Sequence, residues 1–146
     1  MNWIARLTGK TVALDSAPLI YFMERHPTFF ESVWPFFEAV GRGDFKIVTS
    51  PVTIAEVMVH PLRHGPVEVA DTYQNFFAKC VKVIPVTEEI AVIAAGLRAE
   101  HRSLLTPDAL QLATAIEQKA DFFLTNDIRL GHIKPPEVLV LSRLLS

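Results

Sequence analysis

Cysteine is nearly absent. Cys80 is the only one in 146 residues, which excludes an internal disulfide and any thiolate-bound metal cluster. A lone thiol suits a reducing compartment, and its setting, AKC followed by VKVI, reads as a small apolar filler at a helix-to-strand junction. Long apolar runs are missing too. No stretch approaches the roughly 20 apolar residues of a membrane span, and MNWIARLTGK has no long apolar leader segment, so a soluble cytoplasmic protein with no membrane contact is expected. Charge of one sign is balanced, with 14 basic against 16 acidic side chains and a formal net charge of -2. No broad basic surface exists to capture nucleic acid, so such a substrate needs a local patch or a metal ion. The sequence contains no G-x-x-x-x-G-K-[ST] or G-x-G-x-x-G phosphate loop and no G-x-S-x-G nucleophile elbow. Its five histidines, at 26, 60, 64, 101 and 132, show no HExxH or other paired spacing, so each reads as an exposed or satisfied polar residue rather than a zinc ligand.

What is present is a chain half apolar in composition, long enough for one domain spanning residues 1–146. TVALD at 11–15, FKIVTS, VKVIPV, ADFFLT and VLVL read as strands that are apolar almost throughout. Between them lie helical stretches. PLIYFMERH stops before Pro27, and TFFESVWPFFEAV carries Pro35, which argues for a kink or two short helices. Its aromatic residues, Phe29 to Phe37, read as core or partner interface rather than as a base-stacking surface. VTIAEVMVH follows Pro51 and ends at Pro61, and VEVADTYQNFFAKC comes next. Residues 87–102 form a long helix capped by Thr87 with Glu88 and Glu89 in its first turn, and DALQLATAIEQ follows Thr106 as cap. Strands and helices alternate, and the strands lack a polar face. That predicts an α/β fold, a three-layer α/β/α sandwich around a mainly parallel sheet, with the working site beyond the carboxyl ends of the strands.

Four acidic residues fall where such a site needs them. Asp15 closes the first strand, where it reads as a helix cap, a metal ligand or both, with Ser16 able to take over the capping. Glu56 stands in an apolar helix, with Val52 and Val59 near its stripe, so its side chain is expected toward the buried side or its border and beside a cation, a metal or an Arg, with simple exposure as the alternative. Asp108 lies in the first turn of a helix, where the macrodipole already favours an acid, and can project over the strand ends. Asp127 follows Thr125 and Asn126 directly after a strand, as a turn former or as a metal ligand or water-positioning group; Thr125 is placed to orient it. Oxygen ligands select hard ions, Mg2+ or Mn2+. Arg25, Arg129, Lys134 and His132 are candidate phosphate contacts.

LDSAPLIYFME around Asp15, TSPVTIAEV around Glu56, LTPDALQLATAI around Asp108 and FFLTNDIRL around Asp127 together resemble the PIN domain, and within it the toxins of the VapBC toxin-antitoxin group. The resemblance spans residues 14 to 130. It implies a Rossmann-like sandwich, a Mg2+- or Mn2+-dependent endoribonuclease acting on RNA, a homodimer, and neutralisation by an antitoxin protein. By position it assigns Asp15, Glu56, Asp108 and Asp127 as the metal-binding and catalytic acids, with Ser16, Thr125 and Asn126 as the residues that orient them. Where many members carry Asn two places after the first aspartate, this chain has Ala17, which removes one supporting hydrogen bond. Two other readings stay open. One is a catalytically degenerate PIN-like module that binds without cutting. The other is phosphoryl transfer to an aspartate, for which haloacid-dehalogenase-like chemistry needs a second acid where Ala17 stands.

Overall fold

The computed structural model describes residues 2–145. Five strands, β1 Thr11–Leu14, β2 Lys46–Thr49, β3 Lys82–Val83, β4 Phe122–Thr125 and β5 Glu137–Val140, form one sheet in the order β3-β2-β1-β4-β5. Every pairing is parallel, with Ala13 opposite both Val48 and Phe123. Among the described residues eight α-helices connect and cover the strands: α1 Ser16–Met23, α2 Phe30–Arg42, α3 Pro51–Val57, α4 Val59–His64, α5 Val67–Lys79, α6 Glu88–Glu100, α7 Thr106–Glu117 and α8 Leu141–Leu144. Because side chains alternate along a strand, each strand feeds two cores. Val12, Leu14, Ile47, Phe122 and Leu124 pack on one face with Leu19, Phe36, Phe37, Tyr73 and Phe76 of α1, α2 and α5. Ala13, Val48 and Phe123 pack on the other with Ile90 and Ala94 of α6 and Ala109, Leu112 and Ala113 of α7. The layers are thus α/β/α, as expected. No helix among the described residues is long and apolar enough to cross a membrane.

Several expected boundaries shift, each for a local reason. The first helix ends at Met23 rather than His26, since Arg25 turns to φ 50, outside helical space. The aromatic stretch is one helix; Pro35 is exposed, and its missing donor removes only the bond to the carbonyl of Glu31, itself an exposed residue. Pro61 does not end its helix. It stands third in α4, where a backbone donor has no intrahelical partner to lose, and the break falls earlier, at Met58. The third strand shrinks to two residues. Cys80 is exposed at the C-cap of α5, not a buried filler. Thr106 is the first helical residue of α7 rather than its cap; Leu105 holds that position and offers no side-chain bond.

One polar cluster sits inside this apolar body. Thr49, Ser50, Thr53 and Gln111 are all buried at the junction of β2, α3 and α7.

Candidate active site

β1 and β4 run side by side at the centre of the sheet, so their last residues present the following segments at one edge. Asp15 leaves β1 as the N-cap of α1 and is only 8% exposed. Its Oδ1 accepts from the Ser16 backbone N–H at 2.8 Å, and its Oδ2 accepts from the Thr125 hydroxyl at 2.7 Å. Cap and site residue are therefore the same group. Ser16 does not take over the capping; its hydroxyl donates instead to Glu56 Oε1 at 2.5 Å, joining α1 to α3. Thr125 also accepts from the Asp127 backbone N–H at 3.1 Å, so one hydroxyl ties two of the acids. Asn126 donates to the Tyr21 hydroxyl at 3.1 Å and accepts from the Ser142 N–H at 2.9 Å, pinning α1 and α8 beside them.

Asp15, Glu56, Asp108 and Asp127 line a single cleft of about 670 Å3. Ile20, Tyr21 and Ile128 make its apolar wall, none of which the sequence pattern singled out, because each reads as an ordinary core residue of its element. Glu56 differs from expectation. It is exposed to the cleft rather than turned to the buried side, and its hydrogen-bond partner is Ser16. The apolar stripe assigned to it is discontinuous, since Val52 lies in α3 but Val59 belongs to the next helix.

The charges act on one another. Burial is the main reason the Asp15 carboxyl is pushed up to about 6; the bonds from Thr125 and Ser16 pull it down, and the nearby Asp108 and Glu56 push it up. Partial burial, then Asp127 and Glu56, raise Asp108 above the ordinary carboxylate range, with Arg129 opposing. Asp127 goes the other way. Arg129 grips it with Nε at 2.9 Å from Oδ1 and Nη2 at 2.6 Å from Oδ2, and this holds its carboxyl low.

Of the four candidate phosphate contacts, Arg129 alone lines the acidic cleft. His132 lies in an adjoining recess with His101, their rings edge to face at 5.2 Å. Arg25 stacks over Phe30 in a hollow shared with Trp34. Lys134 is exposed and lines neither the cleft nor the recess. A further hollow of about 490 Å3, at the amino ends of β1 and β2, carries Lys46, Lys79 and Lys82. Lys79 stands in the last turn of α5, where helix carbonyls favour a cation.

Among the described residues no group of three or more His, Cys, Asp or Glu side chains forms a ready-made metal site. Three of the four acids are hydrogen-bonded within the protein: both Asp15 oxygens are engaged, Glu56 accepts from Ser16, and Asp127 accepts from Arg129. The donor set itself, four carboxylates lining one cleft with two of them raised mainly by burial and further by their neighbours, is of the oxygen-only kind that suits a hard divalent cation.

Fold and cleft define a parallel α/β protein with an acidic site at the carboxyl ends of its central strands. The chain belongs to the PIN domain family, whose match covers residues 12–134. Its structure is similar to a toxin-antitoxin complex from Klebsiella pneumoniae, at TM-score 0.70 and 21% identity over 89% of this chain and 97% of that one. VapBC2 from Rickettsia felis, bound to a promoter DNA fragment, gives 0.70 and 20% over 88% and 97%. VapC20 of Mycobacterium tuberculosis, a Sarcin-Ricin loop cleaving toxin, gives 0.65 and 13% over 84% and 96%. No curated protein sequence matches the chain.

Proposed function

We propose that this PIN domain protein is a Mg2+- or Mn2+-dependent endoribonuclease that hydrolyses phosphodiester bonds in RNA, and that it serves as the cytoplasmic toxin of a toxin-antitoxin pair. The observation that carries the reading is the convergence of Asp15, Glu56, Asp108 and Asp127 on one cleft, two of them raised by burial and mutual repulsion. Acids in that condition gain from a cation between them. The chemistry that a cation held there would supply is activation of a water for in-line attack and neutralisation of charge growing on the phosphoryl group. Asp15 and Asp108 would hold it directly, while Glu56 and Asp127 ligate it or orient its waters. Thr125 and Ser16 keep the carboxylates of Asp15 and Glu56 turned into the cleft. Arg129, on the rim, is placed to meet a phosphate oxygen once its grip on Asp127 loosens.

The toxin assignment draws support from similar structures described as a toxin-antitoxin complex, as VapBC2 and as a Sarcin-Ricin loop cleaving toxin. We read the working unit as a homodimer restrained by an antitoxin, with exposed apolar side chains such as Trp34, Leu62 and Val67 available for such contacts. The test is cleavage of a fluorescent RNA panel in Mg2+ or Mn2+, in EDTA, and by Asp15→Asn. Metal-dependent cleavage that disappears in the variant is expected. Equal cleavage by the variant overturns the assignment of the acids, and binding of RNA with no cleavage under any metal points to the non-cutting module.

A further inference from the structure

We infer that Gln111, acting with Ser50, Thr53 and Thr49, is a positioning residue that fixes the spacing of the Asp15, Glu56 and Asp108 carboxylates and thereby sets the affinity of the cleft for its cation. This rests on the metal-dependent reading above. All four side chains are buried, at 2% exposure or less, inside a largely apolar interior. Polar groups in such surroundings are tolerated only when each finds a partner.

Here every partner is found, and the bonds run in one direction. The Ser50 hydroxyl donates to Gln111 Oε1 at 2.6 Å, and Gln111 Nε2 donates to Thr53 Oγ1. The Thr49 hydroxyl donates to the Leu14 carbonyl at 2.8 Å. Its single proton is therefore spent, so the 2.7 Å contact between Thr49 and Thr53 uses the proton of Thr53. Turning the Gln111 amide over would require Thr53 to donate to both Oε1 and Thr49. One proton cannot do both, and the amide orientation is fixed.

Register makes this a positioning device. Thr53 stands three residues before Glu56 on α3, and Gln111 three residues after Asp108 on α7. Residues three apart share a helix face, so the Gln111–Thr53 bond crosses between the two helices one turn from both carboxylates. The chain of bonds ends on Leu14, whose carbonyl belongs to the peptide that carries the Asp15 nitrogen. Apolar packing alone lets helices slide by fractions of an ångström, whereas a directional bond resists it. None of the four side chains lines the cleft. Their effect on the acids is carried by the backbone.

The test compares Thr53→Val, Gln111→Met, Gln111→Asn and Thr53→Ser with the full wild-type chain, measuring Mn2+ affinity by isothermal titration, kcat and KM on RNA, and melting temperature in EDTA. Gln111→Asn keeps the amide but shortens its reach, so it reports on geometry even if a more disruptive variant does not fold. Thr53→Val, Gln111→Met and Gln111→Asn are expected to bind Mn2+ about 10- to 100-fold more weakly, with kcat lowered and KM for RNA unchanged, while Thr53→Ser restores wild-type affinity. Wild-type Mn2+ affinity in the folded Gln111 variants overturns the inference, as does a loss shared by Thr53→Ser. A wild-type protein that binds no Mn2+ overturns both this inference and the metal-dependent reading, whereas wild-type binding with unaltered variants removes this inference alone.

Discussion

Asp15 is held between opposing demands, buried beside two other acids yet bonded in the manner of an ionised carboxylate. The group titrates near 6 in the folded chain against an ordinary 3.8, so the folded state holds the extra proton between those values. Its stabilising contribution is complete below about pH 4 and is lost as pH rises through 6, a difference of about 3 kcal/mol at most. Asp15→Asn should therefore abolish RNA cleavage and, in EDTA at pH 7.5, melt at or above the wild-type temperature; the gain should close as the pH is lowered to 4. Thermal unfolding across that range checks the sign. Arg129→Ala should raise KM for RNA several-fold and reduce the slope of log affinity against log salt by about 0.7, the value of one phosphate contact on a single strand. Titration of RNA at several salt concentrations reads it directly. Asp15 and Asp127 were legible in the sequence because a charge closing a buried run has few places to go, and Asp108 because a first-turn acid suits a helix start; Glu56 stood out for a buried setting that it does not have. Gln111 was not legible, because inside ALQLATAI a single amide looks like an interruption of an apolar face, and only the partner three residues before Glu56 gives it a purpose.

Among the elements, α7 starts poorly. Its N-cap is Leu105, extended at φ -81 and ψ 156 and 56% exposed, with no side chain to accept from the first turn. Leu105→Ser should add about 1 kcal/mol and raise the melting temperature by about 2–4 °C without loss of core packing. Calorimetry is sufficient, and cleavage should be unaffected. By contrast α6 starts as expected, with Thr87 accepting from the Ile90 N–H at 3.2 Å. The difference is instructive: Thr87 directly precedes its helical run, whereas Thr106 precedes a proline that is itself helical, which moves the cap back to a residue with no capping chemistry. The parallel sheet followed from alternation and apolar content, but strand length did not. VKVIPV reads as six residues of strand, yet the strand is only Lys82–Val83; Ile84 adds one last bond to the Thr49 carbonyl, and Pro85 has no donor to continue the ladder.

At the scale of the whole molecule, the sheet divides the interior into two cores that load its faces separately. Phe123→Ala, at 1% exposure on the α6–α7 side, should cost about 3–5 kcal/mol with an unchanged denaturant slope, measured by urea unfolding. A parallel sheet covered on both faces still has two open borders, and both are blunt here. The two-residue β3 with outward Lys82 offers almost no unpaired backbone, and β5 begins at Glu137, which Arg6 clamps at 3.0 Å. Another chain therefore finds no template for strand addition at β3 and a charged clasp at the start of β5. Lateral growth of the sheet is discouraged from both sides, which leaves the helical surfaces as the faces open to self-association and removes strand addition as a route to fibres.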